Sequence, residues 1–220
     1  MYMQQTSHSD KRPRLLLADD HVMVTEALRS LLEDEGYLVV GVVQDGRALL
    51  VAAQNLKPDF VVLDIGMPLM NGLDAAVGLR RALPKVGIVF LTMKDDCNLA
   101  AAVLRLGPVG YVLKHSAASE LLTALKEVSC GRSYVTPRLK PENWAVRETR
   151  AQQFSKSLTQ RQREVLQLLA EGRPMKEIGV ILNVSEKTVM FHKYHIMRCH
   201  NLKSNADVVL LALKERLISA

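Results

Sequence analysis

Asp64 closes an apolar run, Phe60-Val61-Val62-Leu63, and is followed by Ile65-Gly66-Met67-Pro68, so a carboxylate is held at the tip of what reads as a buried strand. The pair Asp19-Asp20 stands in the same relation to an earlier run, Leu15-Leu16-Leu17-Ala18. Carboxylates gathered at strand ends repel one another and raise each other's pKa unless a cation joins them, so three acids in this pattern point to a metal site. Thr92 and Lys114 end later apolar runs in the same way. Packing explains polar residues confined to strand tips poorly. The bland alternative for the acid pair is that it caps the helix that follows and complements its dipole.

The elements that must position these groups are legible between Arg14 and Gly131. Strands are predicted at residues 14–18, 38–43, 60–63, 88–91 and 110–113. Between them lie stretches with apolar residues at three- and four-residue spacing, such as Val24, Leu28, Leu31 and Leu32, or Ala76, Leu79 and Leu83. Gly36, Gly107 and Gly131 follow three of these helices, and Pro58 and Pro84 lie just beyond two others. Five strands interleaved with helices imply an α/β doubly wound, five-stranded parallel sheet. Such sheets bind ligands at the carboxyl ends of their strands, where the strand order reverses.

Beyond this unit, residues 132–156 lose periodicity and read as a linker, partly helical around Trp144, and residues 1–13 as a disordered tail. Residues 157–220 form a separate, all-α domain of four short helices, predicted at 159–170, 175–182, 186–199 and 205–216. The brief Leu182-Asn183-Val184-Ser185 connection, with Ser185 as N-cap, makes the second and third a helix-turn-helix pair. The charge is unevenly spread: residues 1–146 hold 16 Lys/Arg against 16 Asp/Glu, and residues 147–220 hold 13 against 7, so the net +6 belongs to the last third. That asymmetry points to a polyanionic partner for the C-terminal part alone. Cys97, Cys130 and Cys199 are odd in number and far apart, as reduced thiols would be. No run of about 18 apolar residues and no apolar leader is present, so a cytoplasmic protein without membrane contact is expected.

Together these residues resemble the two-component response regulators of the NarL/FixJ type, which join a phospho-accepting, flavodoxin-like receiver to a LuxR-type helix-turn-helix domain. The similarity runs over residues 14–131 and 157–217. It is carried by Leu-Leu-Leu-Ala-Asp-Asp-His, Val-Val-Leu-Asp-Ile-Gly-Met-Pro with Asn71-Gly72, Phe-Leu-Thr-Met, and Gly-Tyr-Val-Leu-Lys. In the second domain it is carried by Leu158-Thr159, Arg161, Glu164-Val165-Leu166, Lys176-Glu177-Ile178, Ser185-Glu186-Lys187-Thr188-Val189 and His192. The resemblance implies that Asp64 accepts a phosphoryl group from a sensor histidine kinase. It also implies that Asp19, Asp20, Asp64 and the Gly66 carbonyl hold Mg2+, and that Thr92 and Lys114 bind the phosphoryl oxygens. An all-oxygen ligand set suits magnesium. Tyr111 matches the aromatic that reports the Thr92 movement; its plain alternative is an edge-strand aromatic. His21 is read as a helix-start residue without chemistry.

For the C-terminal domain the resemblance, with the basic charge, implies binding of double-stranded DNA by the helix 186–199 in the major groove. Lys187, Met190, Phe191, Tyr194 and Arg198 share one helical face, with Lys193 beside them, and Val189, Ile196 and Met197 face the core. Met190 stands where the family commonly has lysine, so Lys187, Lys193 and Arg198 must supply more of the anchoring. Pro174 replaces a capping Ser or Thr, which a first helical turn tolerates. Val208, Val209, Leu211 and Ala212 offer a self-association face, as the family pairs through this helix, giving a homodimer on DNA. The expected function is thus a non-enzymatic DNA-binding regulator in which phosphorylation of Asp64 controls dimerisation. The rivals are a phosphorylation-independent regulator with a structural receiver, and a magnesium-dependent phosphohydrolase. The hydrolase would need an acid where Gly66 stands.

Overall fold

The protein is described here from a computed structural model, over residues 12–139, apart from Lys94 and Ala117, and over 158–218. The expected N-terminal tail as far as residue 11, Lys94, and the linker region around Trp144 lie outside the described residues. The first domain runs β1 (Arg14–Ala18), α1 (Val22–Asp34), β2 (Leu38–Val43), α2 (Gly46–Leu56), β3 (Phe60–Leu63), α3 (Gly72–Ala82), β4 (Gly87–Thr92), α4 (Cys97–Leu104), β5 (Val109–Leu113), α5 (Ala118–Ser129) and β6 (Tyr134–Val135). The second comprises α6 (Gln160–Ala170), α7 (Met175–Leu182), α8 (Glu186–Cys199) and α9 (Asn205–Lys214).

The sheet is parallel, in the order β2-β1-β3-β4-β5-β6. Apolar runs such as Leu15-Leu16-Leu17 and Ile88-Val89-Phe90 are buried on both faces, one set packing with α2, α3 and α4 and the other with α1 and α5. The order reverses between β1 and β3, and Asp19 and Asp64 leave those two strands side by side. The Asp64 amide donates to the Ala18 carbonyl (2.8 Å), and the Lys114 amide to that of Thr92 (2.8 Å), so the strand tips are tied together. Gly36, Gly107 and Gly131 follow α1, α4 and α5 at positive φ, the conformation their placement in the sequence called for.

The structure corrects the strand count and the linker boundary. Tyr134–Val135 adds a sixth strand beside β5, and Leu139 is buried in the receiver core, so the segment from 134 to 139 belongs to the first domain. Tyr111 therefore pairs with Val135 and does not lie on a sheet edge. In the second domain, Thr159 and Ser204 form capping boxes at the starts of α6 and α9, and Ser185 accepts from the Thr188 amide at the start of α8. Pro174 occupies the N-cap of α7 without a side-chain bond, and α7 forms regardless. A core of Val165, Leu166, Ile178, Val189, Ile196 and Val208 holds the four helices together.

Candidate functional site

Asp19 and Asp64 are buried at the sheet's carboxyl edge while Asp20 is exposed. Between the buried pair sits the Lys114 ammonium, with Nζ 2.7 Å from Asp19 Oδ2 and 3.0 Å from Asp64 Oδ2. The other Asp64 oxygen accepts from the Ile65 amide at 2.7 Å. His21, expected to have no chemistry, places Nδ1 3.0 Å from both Asp19 Oδ1 and Asp20 Oδ1. It is also the N-cap residue of α1, which leaves neither aspartate as the cap.

Burial alone would lower the Lys114 pKa, but its bonds to Asp19 and Asp64 and their charges outweigh that and hold it above the ordinary lysine value. Lys114 is thus a fixed positive charge. Three carboxylates against one ammonium still leave an excess of negative charge. One oxygen from each of Asp19, Asp20 and Asp64, and one His21 nitrogen, lie within 4.8 Å of one another. Hard carboxylate donors at this spacing, with an uncompensated charge, fit a divalent cation. Thr92 ends β4 and is buried, as is Tyr111 three residues before Lys114. Burial, reinforced by the charge of Asp96, pushes the Tyr111 phenol above its ordinary value and keeps it neutral.

The loop from Ile65 to Asn71 carries the Gly66 carbonyl and turns back under Asp64. Gly72 lies so close that a Cβ there would stand 2.0 Å from the Asp64 carbonyl oxygen. Gly72→Ala should therefore displace the Asp64 backbone, costing about 2 kcal/mol or more in urea unfolding and most of any chemistry at Asp64. A variant with wild-type stability would contradict this packing.

On α8, Lys187, Met190, Phe191, Tyr194 and Arg198 are exposed along one face, while Lys193 is partly covered and donates to Asn205 Oδ1 at 3.1 Å. Val189 and Ile196 are buried, and Met197 packs against the same core. The expectation for α9 needs correction. Val208, Leu211 and Ala212 are buried in their own domain's core, because α9 must cover α6, so three of the four expected self-association residues are unavailable. Val209 is partly exposed, and Leu210 presents the exposed apolar side chain of this helix.

Residues not anticipated from the sequence join the two domains. Gln167 on α6, buried, donates from Nε2 to the Met67 carbonyl (3.1 Å) and accepts at Oε1 from the Asn71 amide (3.0 Å). Glu171 Oε1 accepts from the Leu69 amide (3.1 Å) and from Gln167 Nε2 (2.9 Å). Burial raises the Glu171 pKa, although the bond from Gln167 pulls the other way. Arg163 Nε donates to Asp74 Oδ1 at 2.9 Å, Arg47 Nη1 to the Ile181 carbonyl at 3.2 Å, and Arg216 pairs with Asp96. The sequence held one cue: Gln167 is a polar residue among Val165, Leu166, Leu168 and Leu169, four residues before Glu171.

A doubly wound domain with an aspartate, lysine and threonine site at its switch point, followed by a helix-turn-helix domain, defines a receiver joined to a DNA-binding output. The chain matches the response regulator receiver domain over residues 15–126 and the bacterial regulatory proteins of the luxR family over 156–212, and it belongs to the two-component response regulators built from these two parts. It is 35% identical over 215 residues to the oxygen regulatory protein NreC of Staphylococcus epidermidis, covering 93% of this chain and 99% of that one. To the response regulator GacA of Pseudomonas aeruginosa it is 29% identical over 211 residues, covering 94% and 98%. Among solved structures it resembles RcsB of Salmonella enterica serovar Typhimurium bound to a promoter in the presence of a beryllofluoride phosphomimetic. There the TM-score is 0.60 at 29% identity, with 96% of this chain and all of that one covered. Among the described residues no helix is long and apolar enough to cross a membrane.

Proposed function

We propose that the protein is a phosphorylation-controlled transcriptional regulator, in which Asp64 accepts a phosphoryl group from a partner sensor histidine kinase and α8 reads double-stranded DNA. The observation that carries this is the convergence of Asp19, Asp20, Asp64 and Lys114 at the strand tips of a chain whose second domain holds a basic helix-turn-helix. Carboxylate attack on a phosphoryl group brings negative charge onto negative charge. Mg2+ held by Asp19, Asp20, Asp64 and the Gly66 carbonyl would supply the countercharge. Lys114 supplies a second positive charge and Thr92 a hydroxyl for the phosphoryl oxygens, with Tyr111 as the aromatic that follows the Thr92 movement.

Lys187, Met190, Phe191, Tyr194 and Arg198, with Lys193 at their flank, form the proposed DNA face. That face is uncovered while α6 rests against the receiver. Docking therefore restricts where the helix-turn-helix domain stands relative to the receiver, and need not hide its DNA face. Phosphorylation would shift this two-state equilibrium and permit two copies to pair on DNA. Pairing through α9 would use Val209 and Leu210.

Selecting bound genomic fragments with and without beryllofluoride in Mg2+ tests the reading; one defined set of fragments, enriched by beryllofluoride, is expected. Lys187→Ala should weaken binding to all of those fragments alike and reduce the slope of log affinity against log salt by about one. An unchanged slope would remove Lys187 from the phosphate contacts.

A further inference from the structure

The loop that carries the acceptor aspartate is gripped by the other domain at alternate backbone positions. Gln167 bonds the Met67 carbonyl and the Asn71 amide, and Glu171 bonds the Leu69 amide. Leu69 itself has φ of 62°, a left-handed conformation that is unfavourable for a residue with a Cβ. Its side chain packs against the core of the helix-turn-helix domain. Strain of this kind persists only where surrounding contacts over-determine it, and here the second domain adds three bonds to those the loop makes within itself, Met70 amide to Pro68 carbonyl and Gly72 amide to Ile65 carbonyl. At the near end of the same loop lie Asp64 and the Gly66 carbonyl. Both Asp64 oxygens are already engaged, one by the Ile65 amide and one by Lys114.

We propose that Gln167 and Glu171 are positioning residues for the phosphoacceptor loop, holding it in a conformation that slows phosphoryl transfer to Asp64 and weakens Mg2+ binding there. This rests on the reading of Asp64 as phosphoacceptor. The chemistry of transfer is unchanged by it: the carboxylate oxygen bonds phosphorus as the donor's bond to phosphorus breaks, and the donor leaves with that electron pair, as acetate from acetyl phosphate or as a neutral, ring-protonated imidazole from phosphohistidine. The clamp acts on the starting geometry, since an oxygen held by the Ile65 amide must be freed or re-aimed before attack. Coupling between two sites is reciprocal, so whatever phosphorylation does to docking, docking does to metal and phosphoryl binding by the same factor.

The test uses the full chain with acetyl phosphate in Mg2+, comparing wild type with Gln167→Ala and Glu171→Ala, and with Glu171→Gln. The two alanine variants should bind Mg2+ about fivefold or more tightly in calorimetry and label faster than wild type. Glu171→Gln keeps the acceptor for the Leu69 amide and removes a buried charge, so it should label at or below the wild-type rate. Beryllofluoride on the wild-type protein should speed hydrogen exchange at the Leu69 and Asn71 amides. Equal labelling rates and Mg2+ affinities in wild type and alanine variants would overturn the clamp while leaving Asp64 as acceptor. A wild-type chain that takes up no phosphoryl group would overturn both. Should Gln167→Ala fail to fold, Glu171→Ala and the exchange measurement decide the matter.

Discussion

Asp64→Asn is expected to reduce phosphoryl uptake from acetyl phosphate to background, because the amide cannot attack phosphorus as a carboxylate does and offers one oxygen fewer to the metal. Asp19 faces Lys114 and His21, and Asp20 lies outside the buried pair. The variant should still fold, since asparagine fills the same space and accepts from the Ile65 amide, and Lys114 keeps its bond to Asp19. Intact mass of the treated protein, with and without the substitution, makes the comparison. Residual label on the variant at the wild-type level would place the phosphoryl group elsewhere. The loss should carry through to the output, leaving DNA affinity indifferent to the phosphodonor.

Lys114→Met should have the second largest effect, and its sign depends on the metal. The lysine side chain is only 7% exposed and lies within 3.0 Å of two carboxylates, themselves 4% and 9% exposed. Removing one partner from a buried ion pair leaves charge without compensation, a loss of about 3–5 kcal/mol in a closed interior. The site opens to solvent through Asp20, so a loss of roughly 2–3 kcal/mol is expected in metal-free buffer. Millimolar Mg2+ should restore much of it, because a divalent ion among three carboxylates replaces the missing charge. Urea unfolding of wild type and variant, each with EDTA or Mg2+, checks this. A loss unaffected by Mg2+ would mean that the ammonium and the metal do not share a site.

The chemistry at the strand tips could be read from the sequence because a strand buried on both faces is apolar throughout, which makes a polar residue at its end conspicuous. Asp19, Asp64, Thr92 and Lys114 all stand out in this way, and the structure puts Asp19 and Asp64 within reach of Lys114. Tyr134–Val135 escaped because two residues before a proline carry no periodicity, and only the neighbouring strand β5 turns them into a strand. On α9 the apolar spacing is that of a packed helix and does not by itself mark a self-association face. Val208, Leu211 and Ala212 are needed to close a small four-helix core, and a count of apolar residues cannot tell core demand from surplus. The role of His21 is not legible in the sequence, because its partners are the two aspartates directly before it, brought round by the turn into α1. The bonds from Gln167 to Met67 and Asn71 span about a hundred residues, and no local pattern encodes a contact at that distance.

The most direct measurement is the affinity of the two-domain chain for a selected DNA fragment in Mg2+, titrated with and without beryllofluoride. If receiver chemistry governs DNA binding, beryllofluoride should tighten binding by roughly 5- to 150-fold, the range that one coupled equilibrium supplies, and Asp64→Asn should show no such gain. Equal affinity in the two conditions, with the phosphomimetic demonstrably bound at Asp64, would contradict the account.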